Sequence, residues 1–154
     1  MKIYFAASIR AGRHDRSTYE TLIRHCQKCG EVLTEHVSDA ADIPEADKGK
    51  VEHEIYKRDM AWLMSADVVI AEVTTPSLGV GYEIAKAEVA GKKVLCLWRP
   101  ADCKHLSAMI AGTPHARIVP YKTVHGACQA IDDFLMHVRT ARPSMRTMRA
   151  TVLR

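Results

Sequence analysis

Short apolar runs alternate with longer amphipathic stretches between residues 2 and 138, and this rhythm constrains the fold more than any other feature. We predict strands at the apolar runs, which are Lys2–Ala7, Glu31–Leu33, Asp67–Val73, Lys93–Trp98 and Ala116–Val119. We predict helices at the amphipathic stretches, which are Thr18–Cys29, Lys50–Ser65, Ser77–Ala90, His105–Ala111 and Val124–Val138. The run Val68-Val69-Ile70-Ala71 lacks polar alternation, which is typical of a parallel strand covered on both faces.

Strands that alternate with helices in this way indicate a parallel sheet. We therefore predict a three-layer α/β domain with a five-stranded parallel sheet, of the flavodoxin-like or Rossmann-like kind. Ligands of such sheets bind beyond the carboxyl ends of the strands. In the first helix, Ser17 and Glu20 have the spacing of a capping box, and Gly30 is a plausible C-terminal stop. The predicted apolar face of this helix consists of Tyr19, Leu22, Ile23 and Cys26.

The composition is that of a globular protein, with 154 residues, 47% of them hydrophobic and 26% charged. The apolar runs are far shorter than the roughly 18 residues of a membrane span, so we expect no membrane association. The first residues enter a predicted strand directly, which leaves no room for a signal peptide. An odd number of cysteines, five, without an export signal indicates reduced thiols. We expect a cytoplasmic location and leave a nuclear one open.

The net charge of +4 is concentrated at the end of the chain, where residues 139–154 contain five arginines and no acid. Residues 1–138 carry a slight excess of acids, which argues against a nucleic-acid-binding face. We therefore predict one folded domain over residues 1–138 and a basic, flexible tail over residues 139–154. A localisation or anchoring role for the tail stays open.

Two acids interrupt predicted apolar helix faces. Asp59 interrupts the face formed by Val51, Ile55, Trp62 and Leu63, and Glu83 interrupts the face formed by Val80, Ile84 and Ala87. Burial of a carboxylate is costly unless it is paired or partly protonated. Either acid could instead lie at a helix edge, satisfied by Lys57, Arg58 or Lys86. Two such acids beside one strand favour a working pair, and paired carboxylates can cleave a glycosidic bond as nucleophile and acid.

Two loops that follow predicted strands are suited to an anion. Thr75–Gly81 leads into a helix, whose N-terminus attracts negative charge. Ser8–Arg13 supplies a hydroxyl and two guanidinium groups at the same edge of the sheet. A turn without a ligand is the alternative for the first loop. Because there is no Walker lysine or obvious magnesium-binding acid cluster, a monophosphate suits these loops better than a triphosphate.

Other sulfur and imidazole groups favour structural roles. Cys26 and Cys29 have thioredoxin spacing, but they lie at a helix C-terminus, where the helix dipole disfavours a thiolate. No second cysteine pair completes a zinc site, so we expect neither a metal nor a redox function there, and no cofactor elsewhere. His36 follows a predicted strand, and the sequence leaves open whether its side chain points into the pocket. Met60, Met64 and Met109 are ordinary fillers, unless Met109 is drawn into a shared site.

Several stretches together resemble the 2′-deoxynucleoside 5′-phosphate N-hydrolases of the nucleoside 2-deoxyribosyltransferase superfamily. They are Tyr4-Phe5-Ala6-Ala7-Ser8-Ile9-Arg10, Val32-Leu33-Thr34-Glu35-His36-Val37, Asp59-Met60-Ala61-Trp62-Leu63, Ala66-Asp67-Val68-Val69, Glu72-Val73-Thr74-Thr75-Pro76-Ser77-Leu78-Gly79-Val80-Gly81-Tyr82-Glu83 and Leu106-Ser107-Ala108-Met109-Ile110. The resemblance covers roughly residues 2–138 in the same order, and the run from Pro76 to Glu83 is specific. Ala7 and Ala11 depart from the glycines expected in the first loop. The basic tail has no counterpart.

The resemblance implies a nucleotide N-glycosidase with Glu83 as nucleophile, Asp59 assisting departure of the base and Tyr4 orienting the nucleophile. It further implies a homodimer in which Ser107 closes the phosphate pocket of the neighbouring subunit. The expected substrate-binding residues are Ser8, Ile9, Arg10, Gly12, Arg13, His36, Ser77, Gly79, Ser107 and Met109. The alternatives are a deoxyribosyltransferase that exchanges bases, a hydrolase of the ribonucleotide CMP, and a non-catalytic nucleotide-binding domain.

Overall fold

A computed structural model describes residues 1–8, 15–34, 49, 51–103 and 105–141. Its elements are β1 (Lys2–Ala6), α1 (Arg16–Cys29), β2 (Glu31–Val32), α2 (Glu52–Ser65), β3 (Val68–Glu72), α3 (Leu78–Val89), β4 (Lys93–Trp98), α4 (Ala108–Ala111), β5 (Ala116–Pro120) and α5 (Val124–Ala141). Each predicted strand and helix is therefore present. The majority of their ends are shifted by a few residues from the predicted positions. Helix α5 continues three residues past its predicted end, and residues 142–154 of the predicted tail lie outside the described residues.

The five strands form one sheet in the order β2-β1-β3-β4-β5, and every neighbouring pair is parallel. This order is the flavodoxin-like one, so the predicted fold class is confirmed. Since all the strands run the same way, the loops that follow β1, β3 and β4 meet at one edge of the sheet. In such sheets the ligand lies at this edge, where the strand order reverses between β1 and β3.

Residues of each strand alternate between two apolar cores. On β1, Ile3 and Phe5 pack towards the core shared with α1 and α5. Tyr4 and Ala6 pack towards the core shared with α2 and α3. The sheet thus separates two apolar cores. On each side of it, a different set of polar groups lies at the carboxyl ends of the strands.

Helix α1 is placed largely as predicted. Its predicted apolar face is buried, from Tyr19 to Cys26. The predicted stop is confirmed, because the Gly30 N–H bonds the Cys26 carbonyl and a Cβ on Gly30 would lie 2.3 Å from the Met1 oxygen. The predicted Ser17–Glu20 capping box is wrong, since the helix begins at Arg16 and places Ser17 inside its first turn.

The predicted apolar face of α2 is mostly not enclosed. Leu63 alone is buried among the described residues of this helix, and Val51 precedes the helix with 59% of its surface exposed. The predicted face is therefore wrong at Val51, whereas Ile55 and Trp62 are half-buried and Leu63 is buried. The fourth predicted helix is a single turn, Ala108–Ala111. Among the helices of the described residues, none has the length and hydropathy needed to cross a membrane.

Candidate active site

Glu83 and Tyr4 form the centre of the candidate site. Tyr4 lies in β1, between β2 and β3 in the sheet, and is only 2% exposed. Its hydroxyl donates a 2.7 Å hydrogen bond to Oε1 of Glu83, which lies in the second turn of α3. Burial, followed by the charge of Glu83, holds the pKa of Tyr4 above its usual range, so the phenol stays protonated and remains a donor.

The Glu83 carboxyl is poised between its two protonation states. Burial raises its pKa to about 7, the Tyr4 hydrogen bond opposes that rise, and repulsion from Asp59 adds to it. Near neutral pH, a substantial fraction of Glu83 is therefore ionised and a substantial fraction is protonated. A carboxyl group with such a perturbed pKa at the ligand edge is a candidate for catalysis.

Asp59 reaches the same side of the sheet from α2. Its charge acts on both Glu83 and Tyr4, which shows that the two acids predicted from the sequence lie near each other. Among the partners considered for Asp59, the structure selects Arg58, whose Nε and Nη2 both lie 2.8 Å from Oδ1. The Arg58 guanidinium also lies over the Trp62 ring, at 4.7 Å from its centroid.

Two predicted phosphate ligands lie at the carboxyl edge. Ser8 follows β1, is 2% exposed, and its Oγ has no hydrogen-bond partner within the described part of the chain. A buried hydroxyl without a partner is unfavourable, and an acceptor on a ligand would satisfy it. Ser77 caps α3, where its Oγ accepts a 3.4 Å bond from the Val80 N–H.

Gly79 lies in the first turn of α3, and the protein itself does not require a glycine there. A Cβ at this position would meet only the Ser77 Oγ, at an ordinary 3.7 Å. The unbonded N–H groups of a helix N-terminus attract anions. The backbone at Gly79 is therefore open to a ligand.

Ser107 and Met109 lie in a groove that does not include Glu83 or Asp59. They line a groove of about 530 Å³ between α3 and α4, together with Ser77. None of Tyr4, Asp59 and Glu83 lines this groove. Met109 is 83% exposed, and Ser107 is exposed as well. The remaining predicted substrate ligands, Ile9, Arg10, Gly12, Arg13 and His36, lie outside the described residues.

A second polar cluster at the same edge was missed by the sequence analysis. Glu72, at the end of β3, is fully buried and accepts hydrogen bonds from the Thr74 and Tyr121 hydroxyls. Arg99 donates its backbone N–H to the Thr74 Oγ1 at 2.9 Å, and its guanidinium pairs with Asp15. The available signal was an acid at the end of the fully apolar run of β3.

Arg99 contacts residues from several segments at this edge of the sheet. Its Nη1 donates to the Thr18 Oγ1 at 3.3 Å, and its Nε lies 2.8 Å from Oδ2 of Asp102. Its guanidinium also lies 5.6 Å from the centre of the Tyr121 ring. The loop after β3 carries Ser77, so this cluster supports the loop from the side of the sheet opposite Glu83.

Comparison with known proteins gives a consistent assignment. The model of the nucleoside 2-deoxyribosyltransferase family matches residues 3–130. A 5-hydroxymethyl-dUMP N-hydrolase of Esox lucius is 52% identical over 115 residues, which are 73% of this chain and 79% of the relative. The enzyme of the same name from Danio rerio is 46% identical over 130 residues, covering 79% of this chain and 87% of the relative.

The solved structure of BlsM has the same fold, with a TM-score of 0.72 at 22% identity, over 94% of this chain and 96% of that one. This likeness supports the fold alone. The family model spans most of the domain, and the relatives are about half identical to this chain over most of their length. The resemblance noted in the sequence is thereby confirmed: the chain belongs to the nucleoside 2-deoxyribosyltransferase family.

Proposed function

We propose that this protein hydrolyses the N-glycosidic bond of 2′-deoxynucleoside 5′-monophosphates, releasing the free base and 2-deoxyribose 5-phosphate. The observation that carries the proposal is the Tyr4–Glu83 hydrogen bond beside Asp59, at the ligand edge of the sheet. The names of the two relatives, both 5-hydroxymethyl-dUMP N-hydrolases, support the reaction and the substrate class.

In the first half of the reaction, an Oε of ionised Glu83 attacks C1′ of the sugar. The Glu83–Asp59 pair holds a single proton, and in the reacting form that proton is on Asp59 while Glu83 is ionised. The bond between C1′ and the base nitrogen breaks, and Asp59 gives this proton to the departing base. Both Arg58 contacts reach Oδ1 of Asp59, so Oδ2 is the oxygen that carries this proton. The Tyr4 hydroxyl fixes Glu83 in the attacking orientation. General-acid assistance of this kind contributes typically about 10²–10⁴-fold to a rate.

In the second half, water attacks C1′ of the glycosyl ester and gives its proton to the Asp59 carboxylate. The ester bond to Glu83 breaks, which restores the ionised nucleophile and the protonated acid. Two carboxyl groups act in this way in retaining glycosidases, where the acid of the first step becomes the base of the second.

The phosphate binds, in this proposal, to the Ser8 hydroxyl, the Ser77 hydroxyl and the backbone at Gly79. The buried Oγ of Ser8, which has no partner among the described residues, and the open N-terminus of α3 support this placement. A phosphate at a helix N-terminus gains from both the free N–H groups and the helix dipole. The Ser77 hydroxyl can donate to the phosphate while it accepts from Val80.

The active unit is a homodimer, with Ser107 and Met109 of one subunit acting in the site of the other. One observation supports this part of the proposal. The α3–α4 groove, which Ser107 and Met109 line, is bordered by large exposed apolar side chains, with Leu78 97% and Met109 83% exposed, which a second copy would cover.

The reaction is tested by incubating the protein with 5-hydroxymethyl-dUMP, dUMP, dGMP and CMP and separating the products by chromatography. We expect free base and an equimolar sugar phosphate from at least one deoxynucleotide. A second free base is then added. Transfer of the sugar to that base would identify a transferase, and binding without base release would identify a nucleotide-binding module.

The dimer is tested by mixing two variants, Glu83→Gln and Ser107→Ala. If Ser107 acts in the neighbouring subunit, a mixed dimer contains one intact site, so the low KM for the nucleotide returns on mixing. If Ser107 acts within its own chain, the mixture keeps the raised KM of Ser107→Ala. Sedimentation of both variants checks that they remain dimers.

A further inference from the structure

His25, Cys29 and Asp132 form a cluster on the side of the sheet opposite the catalytic pair. His25 and Cys29 are one turn apart at the end of α1, and Asp132 lies on the facing helix α5. The His25 Nε2 is 2.8 Å from Oδ1 of Asp132, and the Cys29 Sγ is 3.8 Å from the same oxygen. One ligand atom from each residue lies within 4.8 Å of the other two.

We propose that this cluster is a binding site for a divalent transition metal of the zinc type, bridging α1 and α5. The sequence analysis set Cys29 aside because no second cysteine pair was present. It missed the site because Asp132 follows His25 by 107 residues, so that only the folded chain brings them together.

The geometry is close to that of a bound zinc ion. With Zn–N near 2.0–2.1 Å and Zn–S near 2.3 Å, ligand atoms of a tetrahedral site lie roughly 3.3–3.7 Å apart. The Cys29–Asp132 distance of 3.8 Å lies just above this range, and the His25–Asp132 distance of 2.8 Å lies about 0.5 Å below it, so small side-chain movements would suffice. Because His25 and Asp132 are in direct contact, an ion entering between them replaces one hydrogen bond by two metal bonds.

The donor set also fits this class of ion. Imidazole nitrogen and thiolate sulfur favour zinc-like metals over magnesium or calcium, which prefer oxygen ligands alone. A thiolate and a carboxylate together neutralise a divalent charge, which leaves the occupied site without net charge. The site lies in the last turn of α1, whose dipole favours a cation.

The neighbouring groups leave the three ligands available. The nearby Arg139 guanidinium is held by the backbone carbonyl of Cys29, to which its Nη2 donates at 2.7 Å. Cys26 is enclosed in the apolar core. Three protein ligands leave one position of a tetrahedral ion for water. The bridge would fasten the end of α1 to the middle of α5, since these helices pack against each other.

The test is a titration of the full-length, untagged protein with Co²⁺ alone, followed by displacement with Zn²⁺. We expect one equivalent of Co²⁺ to give the charge-transfer band of a cobalt–thiolate bond and tetrahedral d–d bands, and Zn²⁺ to abolish both. Cys29→Ser removes the charge-transfer band. His25→Gln and Asp132→Asn keep the thiol but weaken Co²⁺ binding at least tenfold.

Cys103→Ser is the matched control, because its half-buried thiol lies outside the cluster and its loss leaves the bands unchanged. A thermal melt supplies the second measurement, in which Zn²⁺ raises the midpoint of the wild type but not of Cys29→Ser. The proposal is overturned if the wild type shows no charge-transfer band. It is equally overturned if Cys29→Ser retains the band, or if Zn²⁺ shifts the melting of both proteins alike.

Discussion

Glu83 and Glu72 are two buried acids at the same edge of one sheet, and their surroundings differ in kind. Each accepts a hydrogen bond from a tyrosine hydroxyl, Tyr4 for Glu83 and Tyr121 for Glu72. Glu72 is fully enclosed and has further support from Thr74 and from the charge of Arg99. Glu83 is only partly enclosed, and the like charge of Asp59 raises its pKa further.

The difference separates a supporting acid from a reactive one. Glu72 accepts two hydroxyl hydrogen bonds and is fully enclosed, so little of it is accessible to a ligand. Glu83 is held by one donor and repelled by one neighbour, which leaves its charge available to an electrophilic carbon. Burial raises the pKa of both acids, so burial alone does not distinguish them. The number of donors and the sign of the neighbouring charge do.

The largest expected effect contrasts the same substitution at the two acids. Glu83→Gln removes the nucleophile, so the rate of base release in single turnover falls by about 10³-fold or more, while the nucleotide still binds. Glu72→Gln keeps an oxygen that can accept from Thr74 and Tyr121, and its rate falls by less than about tenfold. Chromatography of samples quenched at set times measures the rates, and isothermal titration calorimetry measures nucleotide binding. Equal losses at both positions would contradict the distinction.

The next effect concerns stability and compares two arginines that each pair with an aspartate. Arg99→Leu leaves Asp15 and Glu72 without their buried positive partner, so the free energy of unfolding falls by about 3 kcal/mol. Arg58→Leu removes the partner of Asp59, whose side chain keeps 21% exposure through which water can replace the lost contact, and costs about 1–2 kcal/mol. Urea denaturation measures both. A larger loss for Arg58→Leu would reverse the assignment of the supporting cluster.

The sequence was sufficient to predict the fold, and it singled out one of these two acids, Glu83. Apolar runs place β1, β3 and β4 nearly to the residue, because a buried parallel strand needs continuous apolar residues. Glu83 was visible as a polar residue within the apolar face of α3, and that face is buried as predicted. Asp59 was singled out on an α2 face that proves only partly buried, so the reason for selecting it was weaker than for Glu83.

Contacts between distant parts of the chain could not be predicted in this way. The Arg99–Asp15 pair joins residues 84 positions apart, and Tyr121 reaches Glu72 across 49 positions. Neither pair leaves a periodic pattern, because each depends on which loops the sheet order brings together. The roles of Glu83, Asp59, Ser8 and Ser107 in binding and catalysis stay predictions, which the experiments proposed above address.

The pH dependence of the rate tests whether the Glu83–Asp59 pair must hold a proton. The proposed first step uses ionised Glu83 and protonated Asp59, so the pair carries one proton. Because the pKa of Glu83 is about 7, the pair loses that proton as the pH rises through 7. Single-turnover rates are therefore expected to fall above pH 7, by up to about tenfold per unit. Rates that fall instead as the pH drops through 7 would show that departure of the base needs no proton from the pair. The substrate phosphate titrates near pH 6, so a deoxynucleoside without phosphate serves as control.

The smallest expected effect is that of Gly79→Ala, which tests whether Gly79 contacts the phosphate or only packs within the protein. Gly79→Ala places a methyl group at the proposed phosphate site, where the protein offers only the Ser77 Oγ at 3.7 Å. The fold therefore tolerates it, and the free energy of unfolding rises by up to about 1 kcal/mol because alanine favours the helix. KM for the nucleotide rises severalfold, with little change in kcat.

Gly126→Ala in the first turn of α5, where a Cβ would lie 3.5 Å from the Thr123 Oγ1, is the matched control. Its stability changes alike and its KM does not, because no phosphate approaches α5. An unchanged KM in Gly79→Ala would place the phosphate elsewhere, and the open N-terminus of α3 would then need another explanation.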